Sequence, residues 1–248
     1  MISLILASPS DARFQAAVQT YQRAIPQNEP FEIIRISEAK SLAEAYNRAL
    51  KLSRGDILIF SHDDVEPLTA NLAERLHHHL ATYDIIGVAG TSRLVSPRWI
   101  DAGPLYTFGH VAHPYEGNTF VVSIYGARAR VNPNIQALDG LFLACRREAV
   151  EKIGWDEQTF PGFHCYDIDF TFRAFQAGHK LAVVMDIPLL HNSHGRFDAA
   201  WQPHANAFLK KHGHLPPHIP FECQWAGIRV ATKDQARHIM NETIETLP

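Results

Sequence analysis

Residues 55–66 read Gly55-Asp56-Ile57-Leu58-Ile59-Phe60-Ser61-His62-Asp63-Asp64-Val65-Glu66. From Asp56 to Phe60 the run is nearly all apolar, which predicts a strand buried on both faces. Upstream, Arg54-Gly55 ends a helix over Ser41–Leu52 that carries Leu42, Ala45, Ala49 and Leu50 on one side. Phe31–Ile36 is a further strand. The segment Pro26–Pro30 separates it from a helix with Phe14, Ala17, Val18 and Tyr21 at helical spacing, capped by Ser10 or Asp11. Ile2–Leu6 is the first strand. Downstream, a helix near Leu68–Thr82 and a strand at Ile85–Ala89 extend the alternation. Apolar strands alternating with helices imply an α/β fold with a mainly parallel sheet covered by helices on both faces. Such a sheet binds ligands beyond the carboxyl ends of its strands, so the residues after Leu6, Ile36 and Phe60 are the ones to examine.

The rest of the chain departs from this alternation. Between about Thr91 and Asn134, scattered Gly and Pro and alternating runs such as Thr119–Ile124 predict antiparallel hairpins inserted in the sheet. A helix over Arg147–Ile153, a helix containing Phe170–Gln176 and a strand at Lys180–Met185 follow. The tail after Trp201, with Pro203, Pro216, Pro217 and Pro220, is expected to wrap over the main body.

With 248 residues, 46% hydrophobic and 20% charged, the chain has the balance of a soluble globular protein, which excludes disorder, collagen-like repeats and a coiled coil. The net charge of −3 argues against a nucleic-acid binder. No apolar stretch approaches the ~20 residues of a transmembrane helix, and the start lacks the basic region of a signal peptide. Cys145, Cys165 and Cys223 share no metal-type spacing, so a reduced, cytoplasmic setting is expected.

Three segments can carry chemistry. His62-Asp63-Asp64 lies just past a strand, where acidic groups suit a divalent cation and a phosphate, or simply form a solvated turn with a helix cap. Tyr166-Asp167-Ile168-Asp169 places two carboxylates at a helix start; one can accept a proton, or both can serve as cap and first-turn acids. His191 and His194 follow a strand and can supply imidazole to a metal, or remain structural. The run His77-His78-His79 is assigned no function.

The order of these segments resembles the glycosyltransferases of the GT-A fold, in particular the inverting family 2. The resemblance rests on Ala43-Glu44-Ala45-Tyr46-Asn47-Arg48-Ala49-Leu50, then Gly55–Phe60 into His62-Asp63-Asp64. It continues with Leu138-Asp139-Gly140 and the apolar stretch to Arg146, and with Asp167, Asp169, Phe170, Arg173, Ala177 and Gly178. It covers roughly the first 195 residues. His62 stands where the family usually has Asp, as in a subgroup with His-x-Asp-Val, and Tyr166 stands where it usually has Glu.

The resemblance implies transfer of a sugar, with inversion, from a nucleotide-diphosphate donor to a hydroxyl on a glycan, lipid-linked or protein acceptor. It makes Asp167 the general base and Asp64, with His191 or His194, the ligands of a divalent metal. Imidazole in the shell tilts that metal from Mg²⁺ towards Mn²⁺. Donor contacts are assigned to Ala7, Ser8, Ser37, Asn47, His62 and Asp63. Acceptor or sugar contacts are assigned to Asp139, Gly140 and Asp169, the last read also as a helix cap or the holder of Arg173, and to Trp99 and Tyr106 in an insert rich in aromatic rings, read equally as a hydrophobic cluster under hairpins. Residues 1–200 then form the GT-A catalytic domain, with 91–135 as a hairpin insert on the acceptor side. Residues 201–248 form a C-terminal extension that, with Arg196, acts as a lid. No transmembrane segment is expected, and the setting is cytoplasmic with peripheral association at the inner membrane face. Two other readings remain open: a sugar nucleotidyltransferase, although Ala7–Arg13 lacks the glycines of its phosphate loop, and a non-catalytic carbohydrate- or protein-binding module.

Overall fold

A computed structural model describes the chain except residues 127–128, 194, 196, 214, 219 and 222–226. The first half builds β1 (Ile2–Ala7), α1 (Asp11–Ala24), β2 (Phe31–Ile36), α2 (Leu42–Leu52), β3 (Ile57–Ser61), β4 (Val65–Pro67), α3 (Leu72–Leu80), β5 (Ile85–Gly87) and β6 (Ala89–Thr91). The middle adds β7 (Thr107–Tyr115), β8 (Thr119–Tyr125), β9 (Val131–Pro133), β10 (Ala137–Leu138), β11 (Phe142–Arg146), α4 (Arg147–Ile153) and α5 (Tyr166–Gln176). Then come β12 (Leu181–Val184), β13 (Leu189–His191), α6 (Gln202–His212), β14 (Gly227–Val230) and α7 (Lys233–Thr246). Local chemistry fixes the early helices: Ser10 Oγ accepts from the Arg13 amide and Ser41 Oγ from the Glu44 amide, each satisfying a free first-turn donor.

The central sheet runs β2-β1-β3-β11-β5-β12-β9. β1 pairs in parallel with β2 and β3, and β5 with β12, while β11 and β9 run against their neighbours. Five of the seven strands therefore point the same way, and the sheet is mainly parallel, as expected. Apolar side chains fill its faces: Leu4, Leu6, Ile59, Phe142, Leu143 and Val183 are all fully buried.

A second sheet, β10-β6-β7-β13-β4, stands beside the first, with β8 paired to β7 and β14 paired to β8. The expected hairpin forms between β7 and β8, with Val111 opposite Ser123. It extends this second sheet, however, and is not inserted in the central one. Its alternating sequence explains the placement, because such a strand has one polar face and a doubly covered sheet has no place for it. The expected strand over Ile85–Ala89 divides at Val88 between the two sheets. The helix expected from Leu68 begins only at Leu72, since Val65–Pro67 pairs with β13 and the Leu68 amide donates to the Pro188 carbonyl. In the tail, β14 pairs antiparallel with β8 and α7 follows behind a capping box of Thr232 and Gln235.

Candidate active site

The polar residues cluster at the carboxyl edge of the central sheet. β1 and β3 end there, delivering Ser8 and His62-Asp63-Asp64. β11 is antiparallel, with Phe142 opposite Ser61, so its beginning lies at the same edge and brings Asp139-Gly140 with it. β13 pairs with β4 so that His191 stands opposite Val65, next to Asp64. Finally α5 opens at this edge with Tyr166 and Asp167.

His62, Asp64 and His191 each offer one ligand atom, all within 4.8 Å of one another. His62 Nδ1 lies 3.4 Å from His191 Nε2, which lies 3.4 Å from Asp64 Oδ1. Ligands at ~2.1 Å around one ion sit about this far apart, so the set fits a divalent cation, and its two nitrogens favour Mn²⁺ over Mg²⁺. Burial opposes ionisation of Asp64, yet hydrogen bonding to His191 and Ser193 and the nearby imidazoles hold its carboxyl well below the usual range. Burial, reinforced by His191, pushes the His62 imidazole down, which favours the neutral form that ligates metal. His62 Nε2 contacts the Tyr166 hydroxyl at 3.0 Å, tying the cluster to the start of α5. Asn192 bonds the Asp64 carbonyl through both its backbone and side-chain nitrogens, and His113 Nδ1 donates to the carbonyls of His191 and Ser193. The approach of β13 to β4 is therefore fixed from both sides.

Asp167 faces the other side of the same cleft, a cavity of about 370 Å³ that His62, His191, Trp99, Tyr125 and Asp139 also line. Its Oδ2 accepts from the Gly140 amide at 2.7 Å. Burial and the Asp139 carboxylate push the Asp167 carboxyl up to about 7. Asp139 is itself held by the Trp99 indole N–H at 2.9 Å and the Leu141 amide at 3.0 Å. Residue 140 has to be glycine, because a Cβ there would meet the Tyr166 hydroxyl at 2.5 Å and Asp167 Cβ at 2.7 Å. Cys165, just ahead of α5, holds φ at +60°, a left-handed conformation that non-glycine residues rarely adopt and that clusters at functional sites.

Two further cavities continue along the edge. One of about 570 Å³ is lined by Arg13, Asp63, Asp64 and Asn192. The other, about 460 Å³, is lined by Ala7, Ser8, Ser37, Glu38 and Arg48. Phe163 borders all three cavities and is 56% exposed.

Most of the residues expected at the site meet here, but their placements differ. Ala7, Ser8 and Ser37 line one cavity. Asp63 lines its neighbour while accepting from Ser8 Oγ at 2.7 Å. His62, expected against the donor, sits with Asp64 and His191 in the group whose atoms could hold a metal. Asn47 faces away: its side chain bonds both the carbonyl and the amide of Trp155, pinning a turn. Asp169 is fully buried on the far side of α5 and paired with Arg173, Lys211 and His212, so no sugar reaches it. Tyr106 lies under the Arg93 guanidinium, outside the residues lining the cleft, whereas Trp99 lines it. His194 and Arg196 fall outside the described residues. Tyr166 and Phe163 were not expected at the site. Tyr166 carries a signal in its position beside Asp167, and an exposed Phe after Pro-Gly carries none.

The chain belongs to the glycosyltransferase-like family, whose model matches residues 3–212. No curated protein sequence matches the chain. Its fold is GT-A, shared with solved glycosyltransferases. The mannosyltransferase PcManGT from Pyrobaculum calidifontis, in complex with GDP-Man and Mn²⁺, has a TM-score of 0.53 at 13% identity, covering 87% of this chain and 65% of that one. GalNAc-T7, with UDP, GalNAc and Mn²⁺, has a TM-score of 0.55 at 11% identity, covering 81% and 44%. S. aureus TarS 1–349 with UDP-GlcNAc reaches 0.50 at 10% identity, covering 79% and 59%. The chain thus spans less than two thirds of the length of each of these structures. Among the described residues, no helix is long and apolar enough to cross a membrane.

Proposed function

We propose that the protein transfers a sugar, with inversion, from a nucleotide-diphosphate donor to an acceptor hydroxyl, with Asp167 as general base. The observation that carries this reading is the single cleft between Asp167 and the His62–Asp64–His191 cluster. The acceptor oxygen attacks the anomeric carbon as its proton passes to Asp167; the bond from that carbon to the diphosphate breaks, and the electron pair leaves with the phosphate. His62, Asp64 and His191 would hold a divalent cation, best met by Mn²⁺, which would supply positive charge to offset that developing on the leaving phosphate. The nucleoside lies along Ala7, Ser8 and Ser37, with Arg13 and Asp63 near the phosphates. The acceptor enters past Trp99 and Tyr125, whose rings stand 5.9 Å apart.

On this reading residues 1–200 are the catalytic domain, 91–135 the acceptor side, and the segment after 200 the lid; Trp201, which lines the cleft, supports that assignment. The free, buried Cys145 and Cys165 support a cytoplasmic setting, with the protein resting on the inner membrane face when its acceptor is lipid-linked. The purified protein should release free nucleoside diphosphate from at least one member of a nucleotide-sugar panel with Mn²⁺. EDTA and His191→Ala should each abolish the release. If no donor binds or turns over, the chain is a binding module on a transferase fold.

A further inference from the structure

A further cavity lies away from the donor cleft. It encloses about 730 Å³ between the end of α1, the loop from β4 to α3, and α7. Arg13, at the cleft, and Arg23, at the cavity, are ten residues apart on α1, a distance of about 15 Å along its axis. Four arginines line the cavity, Arg23, Arg75, Arg130 and Arg237, against two acids, Glu66 and Glu245. Glu66 is already engaged by Lys233 Nζ at 2.6 Å. Arg75 Nη1 is buried and has no hydrogen-bond partner. An anionic ligand in the cavity would give the Arg75 guanidinium an acceptor. Arg75 and Arg130 also line a smaller adjoining cavity of about 270 Å³ beside Asp186. That acid accepts from His79 Nε2 at 2.7 Å.

We propose that this cavity binds a phosphate-ester group, separately from the donor. The arginines supply the forked donors that phosphate oxygens accept. Thr20, Asn71 and Asn241 add polar groups suited to a hydroxylated body attached to the phosphate. The proposal is independent of the transfer reaction. The cavity has α7 as one wall, so it exists only when the C-terminal segment is docked.

The test is calorimetry of the full chain with inorganic pyrophosphate in EDTA at low salt, where metal-dependent diphosphate binding is silent. Saturable binding is expected, weakened about tenfold or more in Arg75→Gln and in the exposed pair Arg23→Gln/Arg237→Gln, which leaves the interior untouched. Arg13→Gln, at the other end of α1, should leave it unchanged. Absence of saturable binding, or binding lost in Arg13→Gln and kept in the other variants, overturns the proposal. Flotation with phosphatidylcholine vesicles containing phosphatidic acid distinguishes the source. Arginine-dependent flotation assigns the phosphate to a lipid headgroup, and pyrophosphate binding without flotation assigns it to a soluble ester.

Discussion

Asp167 and Asp169 stand two residues apart in the first turns of α5, yet they live in opposite surroundings. Two helical residues turn the side chain by about 200°, so one carboxylate faces the cleft and the other the body of the protein. Asp169 meets Arg173, His212 and Lys211 at 2.7–2.8 Å. Although burial alone would raise its carboxyl, hydrogen bonding to His212 and the charge of Arg173 outweigh that and hold it low. Asp167 faces the Asp139 carboxylate and backbone amides, and burial, reinforced by Asp139, pushes it up to about 7. The partners, more than the residue type or the helix end, separate the raised carboxyl of Asp167, proposed as the general base, from the paired one of Asp169.

The sharpest break of this comparison is Asp167→Asn, which should cut turnover by about 10² or more while calorimetric donor binding persists. Asp169→Asn should act on the fold. Removing one partner of a buried ion network costs ~3–5 kcal/mol and should lower Tm by about 10 °C, with little change in turnover per folded molecule.

Next comes pH. Asp167 must be ionised to act, so kcat/KM should rise with pH through a midpoint near 7. Asp139→Asn removes the neighbouring charge and should move that midpoint lower. Stability runs the other way. The folded carboxyl binds its proton more tightly than the unfolded one, whose ordinary value is 3.8, so its contribution is lost as pH rises from about 4 to 7. Asp167→Asn should therefore raise Tm at pH 8 relative to wild type and leave it nearly unchanged at pH 4.

Smaller effects test the rest of the cleft. Tyr166→Phe removes the hydrogen bond behind His62 and should weaken Mn²⁺ binding roughly tenfold in a titration, since partners of ligating histidines orient them. Trp99→Ala should raise the acceptor KM with the donor KM unchanged. Tyr106→Ala, outside the residues lining the cleft, should change neither.

The stretch from β1 to β3 was legible because each strand and helix there carries its own signal: apolar strands, a cap at Ser10 or Asp11, and helices with apolar residues along one side. The second sheet was not. β4, β6 and β13 are three-residue strands whose partners lie far away in sequence, and no periodicity can be read from so short a run. At the site, the motif order brought out Asp64, His191 and Asp167, which the fold gathers at one cleft. Asn47 was misread, and of the two readings of Asp169 the sugar contact fails while the pairing with Arg173 holds, because a polar residue on a helix is assigned to one side or the other only by tertiary packing. Asn47 was taken by the Trp155 backbone, and Asp169 by Lys211 and His212 on α6 and Arg173 on its own helix. Tyr166, expected only as a replacement for Glu, owes its place to His62, a partner 104 residues away.

β11 also governs the order in which the protein can be assembled. It is the one strand joining β3 to β5, and it lies beyond residue 141. A nascent chain that has delivered β1, β2, β3 and β5 holds a three-stranded sheet with a bare apolar edge at β3, and a β5 that has no partner strand yet. Such edges are templates for pairing with other chains. Ribosomal emergence of residues 142–146 is then the event that joins β5 to β3, before β12 and β9 complete the sheet, and fragments ending before it should aggregate when expressed alone.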